Sequence, residues 1–213
     1  MLDRYVKPAS DIAAFLICYS PYDILLLFSR KLIIAGECVM ELKKALFERR
    51  SVRQFEEKEV EKELLQELLI AGMWSPTAGN IQPWMFFCVT ERARIHRMRV
   101  VSPGMLGNPQ ALICVCSDQN RAFEKAGQGG KILALMDCAM AAQNIMLRAH
   151  DLGLATCVIR SFNQTAVREL LEAPAHVLPE LLITIGYADK KPPTPPRNTD
   201  LIHWEYYRED DNG

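Results

Sequence analysis

The sequence lacks most of the features that settle a function at once. Its net charge is −1 over 213 residues, so no overall field draws nucleic acid or an anionic membrane to it. Any anion binding must therefore be local. Its seven cysteines include no C-x-x-C pair, and they read as reduced, mostly buried thiols of a cytoplasmic protein. Cys114 and Cys116 stand two apart, on one face of a strand, a poor start for a tetrahedral zinc site. The four histidines, His96, His150, His176 and His203, show neither triad nor metal-ligand spacing, and each reads as structural or exposed. No metal is indicated. Gly127-Gln128-Gly129-Gly130-Lys131 lacks the Walker spacing and the Ser or Thr after Lys, so it is no phosphate loop.

A long unbroken apolar run is missing too. Ile12–Gly36 is strongly apolar, but Pro21, Asp23, Arg30 and Lys31 interrupt it. Its longest uncharged piece, Ile12–Tyr22, has 11 residues, where a spanning helix needs about 20. Asp3 offsets Arg4 and Lys7, and no small-x-small cleavage site follows, which argues against a signal peptide. Two readings remain open. Residues 1–39 are either a docking or peripheral segment, or no part of the natural protein, since MELKKALFERRSVRQF reads as a complete start at Met40. A membrane-anchored module is the weaker alternative. The domain division is thus residues 1–39, an apolar extension, and residues 40–213, one domain.

What is present is an ordinary globular balance, 49% hydrophobic and 24% charged, in a chain long enough for one substantial core. Helical spacing covers Met40–Arg49, Glu61–Met73, Glu91–Val101 and Lys131–Leu152. The third of these is basic without interleaved aromatics, a solvated helix and not a nucleic-acid surface. The last is apolar nearly all round and must be covered on most sides, with small alanines that let another helix approach. Met85–Thr90, Gln110–Ser117, Thr156–Ser161 and Leu181–Tyr187 are strand-length apolar runs, and Asn163 caps a helix reaching about Leu171. Ser102–Pro109 reads as a loop, and Asp118–Gly130 as a polar, glycine-containing segment in which Phe123 is a candidate substrate contact.

Two stretches carry chemistry. In Arg49-Arg50-Ser51-Val52-Arg53, guanidinium groups, a hydroxyl and free backbone N–H groups gather at a helix end, which suits an anionic phosphate. Helix closure by Arg49 and Arg50 is the simpler reading of that segment alone. In Ser75-Pro76-Thr77-Ala78-Gly79-Asn80-Ile81-Gln82-Pro83-Trp84, prolines and glycine fix a loop. Asn80 and Gln82 there offer amide donors and acceptors suited to the edge of a pyrimidine-like ring.

In this order, and with the proline-rich tail Lys190–Arg197, the two stretches resemble the FMN-dependent nitroreductase family over about Met40 to Tyr207. The resemblance implies an α+β fold, a central mixed, mainly antiparallel sheet flanked by helices in an α-β-α sandwich, of the obligate homodimer type. It implies that Arg49 and Ser51, with Arg50 beside them, hold the FMN phosphate. Arg53 would stand near the pyrimidine side of the isoalloxazine, where a cation favours the reduced flavin. Asn80 and Gln82 match contacts to the flavin or its ribityl chain. The segment Val158, Ile159 and Arg160 would pass the ring and present a backbone N–H to N5. Arg197 would return to the phosphate, with Lys190 and Lys191 as lesser helpers. The terminal Leu201–Tyr207 would lie on a partner subunit. The implied activity is transfer of hydride from NADH or NADPH to flavin N5, then of electrons to a small acceptor such as a nitroaromatic or quinone, in ping-pong order, with no catalytic side chain. A non-catalytic flavin carrier, a dehalogenase and an oxygen-dependent flavin-cleaving enzyme are the alternatives.

Overall fold

The computed structural model describes residues 42–188 and 190–207. The expectations about the segment before Met40 lie outside the described residues. In chain order the elements are α1 (Leu42–Glu48), α2 (Lys62–Met73), β1 (Trp84–Val89), α3 (Arg92–Val100), β2 (Ala111–Asp118), α4 (Gln119–Ala126), α5 (Gly130–Asp151), β3 (Ala155–Ile159), α6 (Gln164–Leu170) and β4 (Val177–Gly186).

The strands form one sheet in the order β1-β2-β4-β3, every neighbour antiparallel. The sole parallel contact among the described residues is the isolated bridge between Ser51 and Thr156, on the outer edge of β3. Because successive strand residues face opposite sides, β2 feeds two cores at once. Ala111, Ile113 and Val115 pack under α2 and α5 with Leu65, Leu68, Cys138 and Ile145. Leu112, Cys114 and Cys116 pack under α3 and α6 with Ile95, Met98 and Val167. The result is a helix-sheet-helix sandwich. Cys114 and Cys116 share a face, their sulfurs 3.5 Å apart, both free thiols.

Two elements differ from the sequence expectation. Asp118–Gly130 is not an open polar segment: Asp118 accepts a hydrogen bond from the Arg121 N–H at 3.0 Å and starts α4, after which a single 3-10 turn leads into α5. The strand expected from Leu181 begins at Val177. Pro179 and Glu180 disguised its start, and both sit where the pairing with β2 slips between Val115 and Cys116. A bulge tolerates a proline, and Glu180 is kept there by the Ser117 hydroxyl, which donates to it at 2.6 Å.

α5 spans the molecule. One side buries Ala134, Cys138, Ala141, Ala142, Ile145 and Ala149 in the core. Ile132, Leu135, Met136 and Met140 recur at helical spacing on the other side and remain exposed. The continuous helical stretch Gln119–Asp151 is long and apolar enough to cross a membrane by length and composition, yet its inner side is part of this core.

Candidate functional site

α1 ends with the Arg49 N–H still bonded to the Ala45 carbonyl at 3.1 Å. The chain then becomes extended. Val52 is buried, and its N–H donates to the Thr156 carbonyl at 2.9 Å. Alternation along this extended piece puts Ser51 and Arg53 on the side opposite Val52. The Arg50 guanidinium turns back to the Arg49 carbonyl at 2.7 Å and also bonds the Thr194 hydroxyl. That second bond ties the proline-rich tail to the end of α1. Arg197, from the same tail, lies close enough to Arg49 to affect its ionisation. Burial first, then the charges of Arg50 and Arg197, press the Arg49 pKa below its ordinary value.

These cations have no carboxylate partner among the described residues, where the ion pairs involve Arg94, Arg148, Arg160 and Arg168 instead. The Arg49 Nη1 is enclosed and lacks any hydrogen-bond partner. A buried, unpaired guanidinium N–H beside further cations is unfavourable unless an anion completes the site. The residues present therefore fit a phosphate group.

The loop Ser102–Gln110 braces this region from below. The Gly104 N–H donates to the Ser161 carbonyl at 3.2 Å. Gly107 has φ +73°, and a Cβ there would overlap the Arg53 carbonyl. Gly107→Ala is expected to lose about 1–2 kcal/mol of stability from the left-handed backbone alone, and more from displacing Arg53. Denaturant unfolding would read this against Gly129→Ala, whose site is open and whose φ is −68°. Equal stability of the two variants would contradict it.

The second stretch is built differently. Gly79 and Asn80 both have φ 54° and Gln82 has φ 52°, so three residues near its tip are left-handed. Two of the three are not glycine, and such backbone is held only by its surroundings. Here the Ala78 N–H donates to Asp137 Oδ1 at 3.2 Å, the Gln82 N–H to the Thr77 hydroxyl at 3.2 Å, and Arg121 Nε to the Ile81 carbonyl at 2.7 Å. The Gln82 side-chain amide donates to Asn80 Oδ1 at 2.8 Å, and both side chains are exposed. Asp137 is buried and its Oδ2 is unpartnered. Burial pushes its pKa up, against the opposing pull of the Ala78 N–H.

The structure thus brings Arg49, Arg50, Ser51 and Arg197 together, with Arg53 exposed on the same segment. It does not bring Asn80 and Gln82 to them. The Ser75–Trp84 loop is anchored at Asp137, whereas His150 is the α5 residue whose ionisation Arg49 and Arg50 affect. Thirteen residues of helix separate those positions, roughly 20 Å at 1.5 Å per residue.

The three β3 residues also diverge. Thr156 turns its backbone carbonyl outward to Val52, so Val158, two residues on, presents its backbone to the same open edge. Ile159 pairs with Leu182, and its side chain is buried in the core. Arg160 lies 4.0 Å from Glu180 and over the Phe162 ring. Sequence reasoning read His150, which is buried, as structural or exposed, and Gly107 only as part of a loop. The only available signals were a histidine one residue before the end of a helix and a glycine in a loop.

A family model described as the nitroreductase family matches residues 46–103 and 93–187. The chain belongs to the nitroreductase family. A Methanothermobacter thermautotrophicus protein, provisionally named NADH dehydrogenase/NAD(P)H nitroreductase, is 32% identical over 173 residues, covering 78% of this chain and 87% of its own. A crystal structure of a similarly named protein from Bacteroides thetaiotaomicron superposes with a TM-score of 0.69 at 32% identity, over 78% of this chain and 98% of that one. A structure named an FMN-dependent nitroreductase, from Clostridium difficile, superposes with a TM-score of 0.68 at 25% identity, over 78% and 99%.

Proposed function

We propose that this nitroreductase is an FMN-dependent oxidoreductase of the cytoplasm, working as a homodimer on a small acceptor such as a nitroaromatic or quinone. The observation that carries the reading is the group of Arg49, Arg50 and Arg197, with no carboxylate partner among the described residues, around the enclosed Arg49 Nη1. FMN held here would supply the redox chemistry, hydride acceptance at N5 from NADH or NADPH and electron delivery to the acceptor in ping-pong order. The chain's part is to bind and orient. Arg49, Arg50, Ser51 and Arg197 hold the phosphate end. Arg53 places a cation farther along the same extended segment. The outward backbone N–H of Val158 is the donor offered to the ring, in preference to Ile159, which turns inward, and Arg160, which is engaged by Glu180.

The homodimer reading rests on the distance between the two halves of the site. In a two-fold pair the Asn80–Gln82 loop that completes this chain's Arg49 cluster comes from the partner. Ile132, Leu135, Met136 and Met140 are the exposed apolar stripe that such a partner would cover. Met73, at 60% exposure, ends α2 just before the Ser75–Trp84 loop and extends the stripe toward it.

The test is the visible spectrum of the full chain supplied with FMN, followed anaerobically as NADH or NADPH is added. Bleaching by one of the two, with repeated turnover once a quinone or nitroaromatic is added, is the expected result. A bound flavin spectrum that neither nicotinamide alters would leave a carrier role in its place.

A further inference from the structure

Arg49 Nη1 and His150 Nε2 are two of the five buried side-chain polar atoms without a partner among the described residues, and the Arg49 charge bears on the imidazole. His150 sits in the last turn of α5 and is 4% exposed. The charged groups that bear on it lie on two other segments, and Cys157 of β3 bears on Arg49 beside it. Arg49, Arg50 and Glu48 belong to the end of α1 and the segment after it, and Lys191 to the proline-rich tail. On its own helix, Arg148 is occupied by Glu67 and Asp151. A buried imidazole nitrogen with no partner, facing mostly cations, is costly in the free protein. A dianion seated between them would accept from Arg49 Nη1–H and from His150 Nε2–H.

We propose that His150 is a binding residue of the phosphate site, and that it takes up one proton as the phosphate of FMN enters. The inference rests on the phosphate reading given above and adds a titrating member to it. In the free protein, burial first and then Lys191, Arg49 and Arg50 hold the His150 pKa below its usual value, with Glu48 pulling the other way. The imidazole is therefore neutral at pH 7. A dianion alongside reverses the electrostatic part and raises the pKa in the complex. Between those two pKa values the complex carries one proton more than its separated parts, so affinity falls as pH rises, by up to tenfold per pH unit. Below the free pKa both states are protonated and above the bound pKa neither is, so there the dependence vanishes. Of the side-chain types named, histidine is the one that ordinarily changes charge near neutrality.

The ligand also titrates, since a phosphate monoester loses its second proton near pH 6, so the measurement belongs above about pH 6.5. The experiment is calorimetric binding of FMN to flavin-free full-length protein at about pH 7.5, in two buffers of different ionisation enthalpy, repeated with riboflavin. Fluorescence titration of the same ligands from about pH 6.5 to 8.5 accompanies it. The expected result is net proton uptake with FMN and none with riboflavin. His150→Gln, which keeps an N–H donor but does not titrate, should abolish the uptake and flatten the pH dependence. FMN preferred over riboflavin with no proton uptake would overturn the role of His150 and leave the phosphate site standing. FMN and riboflavin binding alike would overturn both. Should His150→Gln fail to fold, the wild-type calorimetry still decides.

Discussion

Met136→Asp is expected to convert the proposed dimer to monomer and to strip it of FMN in the same step. Met136 is 56% exposed in the single chain, in the stripe with Ile132, Leu135 and Met140. Exposure of this kind makes an aspartate harmless to the isolated fold, since nothing in the core is displaced and the helix surface stays hydrated. In a two-fold interface the same aspartate is buried without a partner. An uncompensated buried charge costs about 3–5 kcal/mol, and the symmetry applies that cost twice. The dimer dissociation constant should therefore rise by several orders of magnitude. Sedimentation velocity reads the mass, circular dichroism checks the fold, and the flavin absorbance that co-purifies reads the site. A folded monomer without flavin is the expected outcome. A variant that stays dimeric would mean α5 is not the interface. A folded monomer that keeps FMN at wild-type affinity would mean the Asn80–Gln82 loop of a second copy is not needed, and that the Arg49 cluster alone holds the cofactor.

That second possibility turns on what a sequence can and cannot display. The period of α5 was visible, and so was the consequence that it must be covered on nearly all sides. The particular side left exposed was not, because it depends on which residues α2 and the sheet happen to occupy. The same holds within the site. Arg49, Arg50 and Ser51 are neighbours in the chain and announce themselves. The bond from Arg50 to Thr194 joins residues 144 positions apart, and only the folded tail makes it. His150 gave no signal because a histidine in the last turn of a helix is common, favoured by the helix dipole alone. Its meaning comes from Arg49, Arg50 and Lys191 converging on it from other segments. The Asn80–Gln82 loop shows the opposite case. Its residue types suit contacts to a ring, but a linear reading cannot tell whether they serve their own chain's Arg49 cluster or another's. The misread start of β4 has the same root. Pro179 and a charged Glu180 argue against a strand until Ser117 and Arg160 are seen to accommodate the carboxylate.

Arg49→Ala is expected to weaken FMN binding roughly 10- to 150-fold, about 1.5–3 kcal/mol, the contribution of one charge-assisted hydrogen bond to a phosphate. Riboflavin, which lacks the phosphate, should bind wild type and variant alike. The flavin-free variant should be no less stable than wild type toward denaturant from the loss of charge. Burial lowers the Arg49 pKa, Arg50 and Arg197 lower it further, and its Nη1 has no partner to lose. That combination distinguishes a binding arginine from one that merely closes α1. A helix-closing residue would register in the stability of the free protein and leave FMN affinity alone. Arg50→Ala should behave differently, because Arg50 also bonds the Arg49 carbonyl and Thr194. Its loss releases the tail that carries Arg197, so the fall in FMN affinity should be joined by faster proteolysis between Lys190 and Tyr207. Fluorescence titration with both flavins, and limited proteolysis of both variants, make the comparison. Unchanged FMN affinity in Arg49→Ala would remove the phosphate from this cluster and return Arg49 and Arg50 to the role of a basic helix terminus.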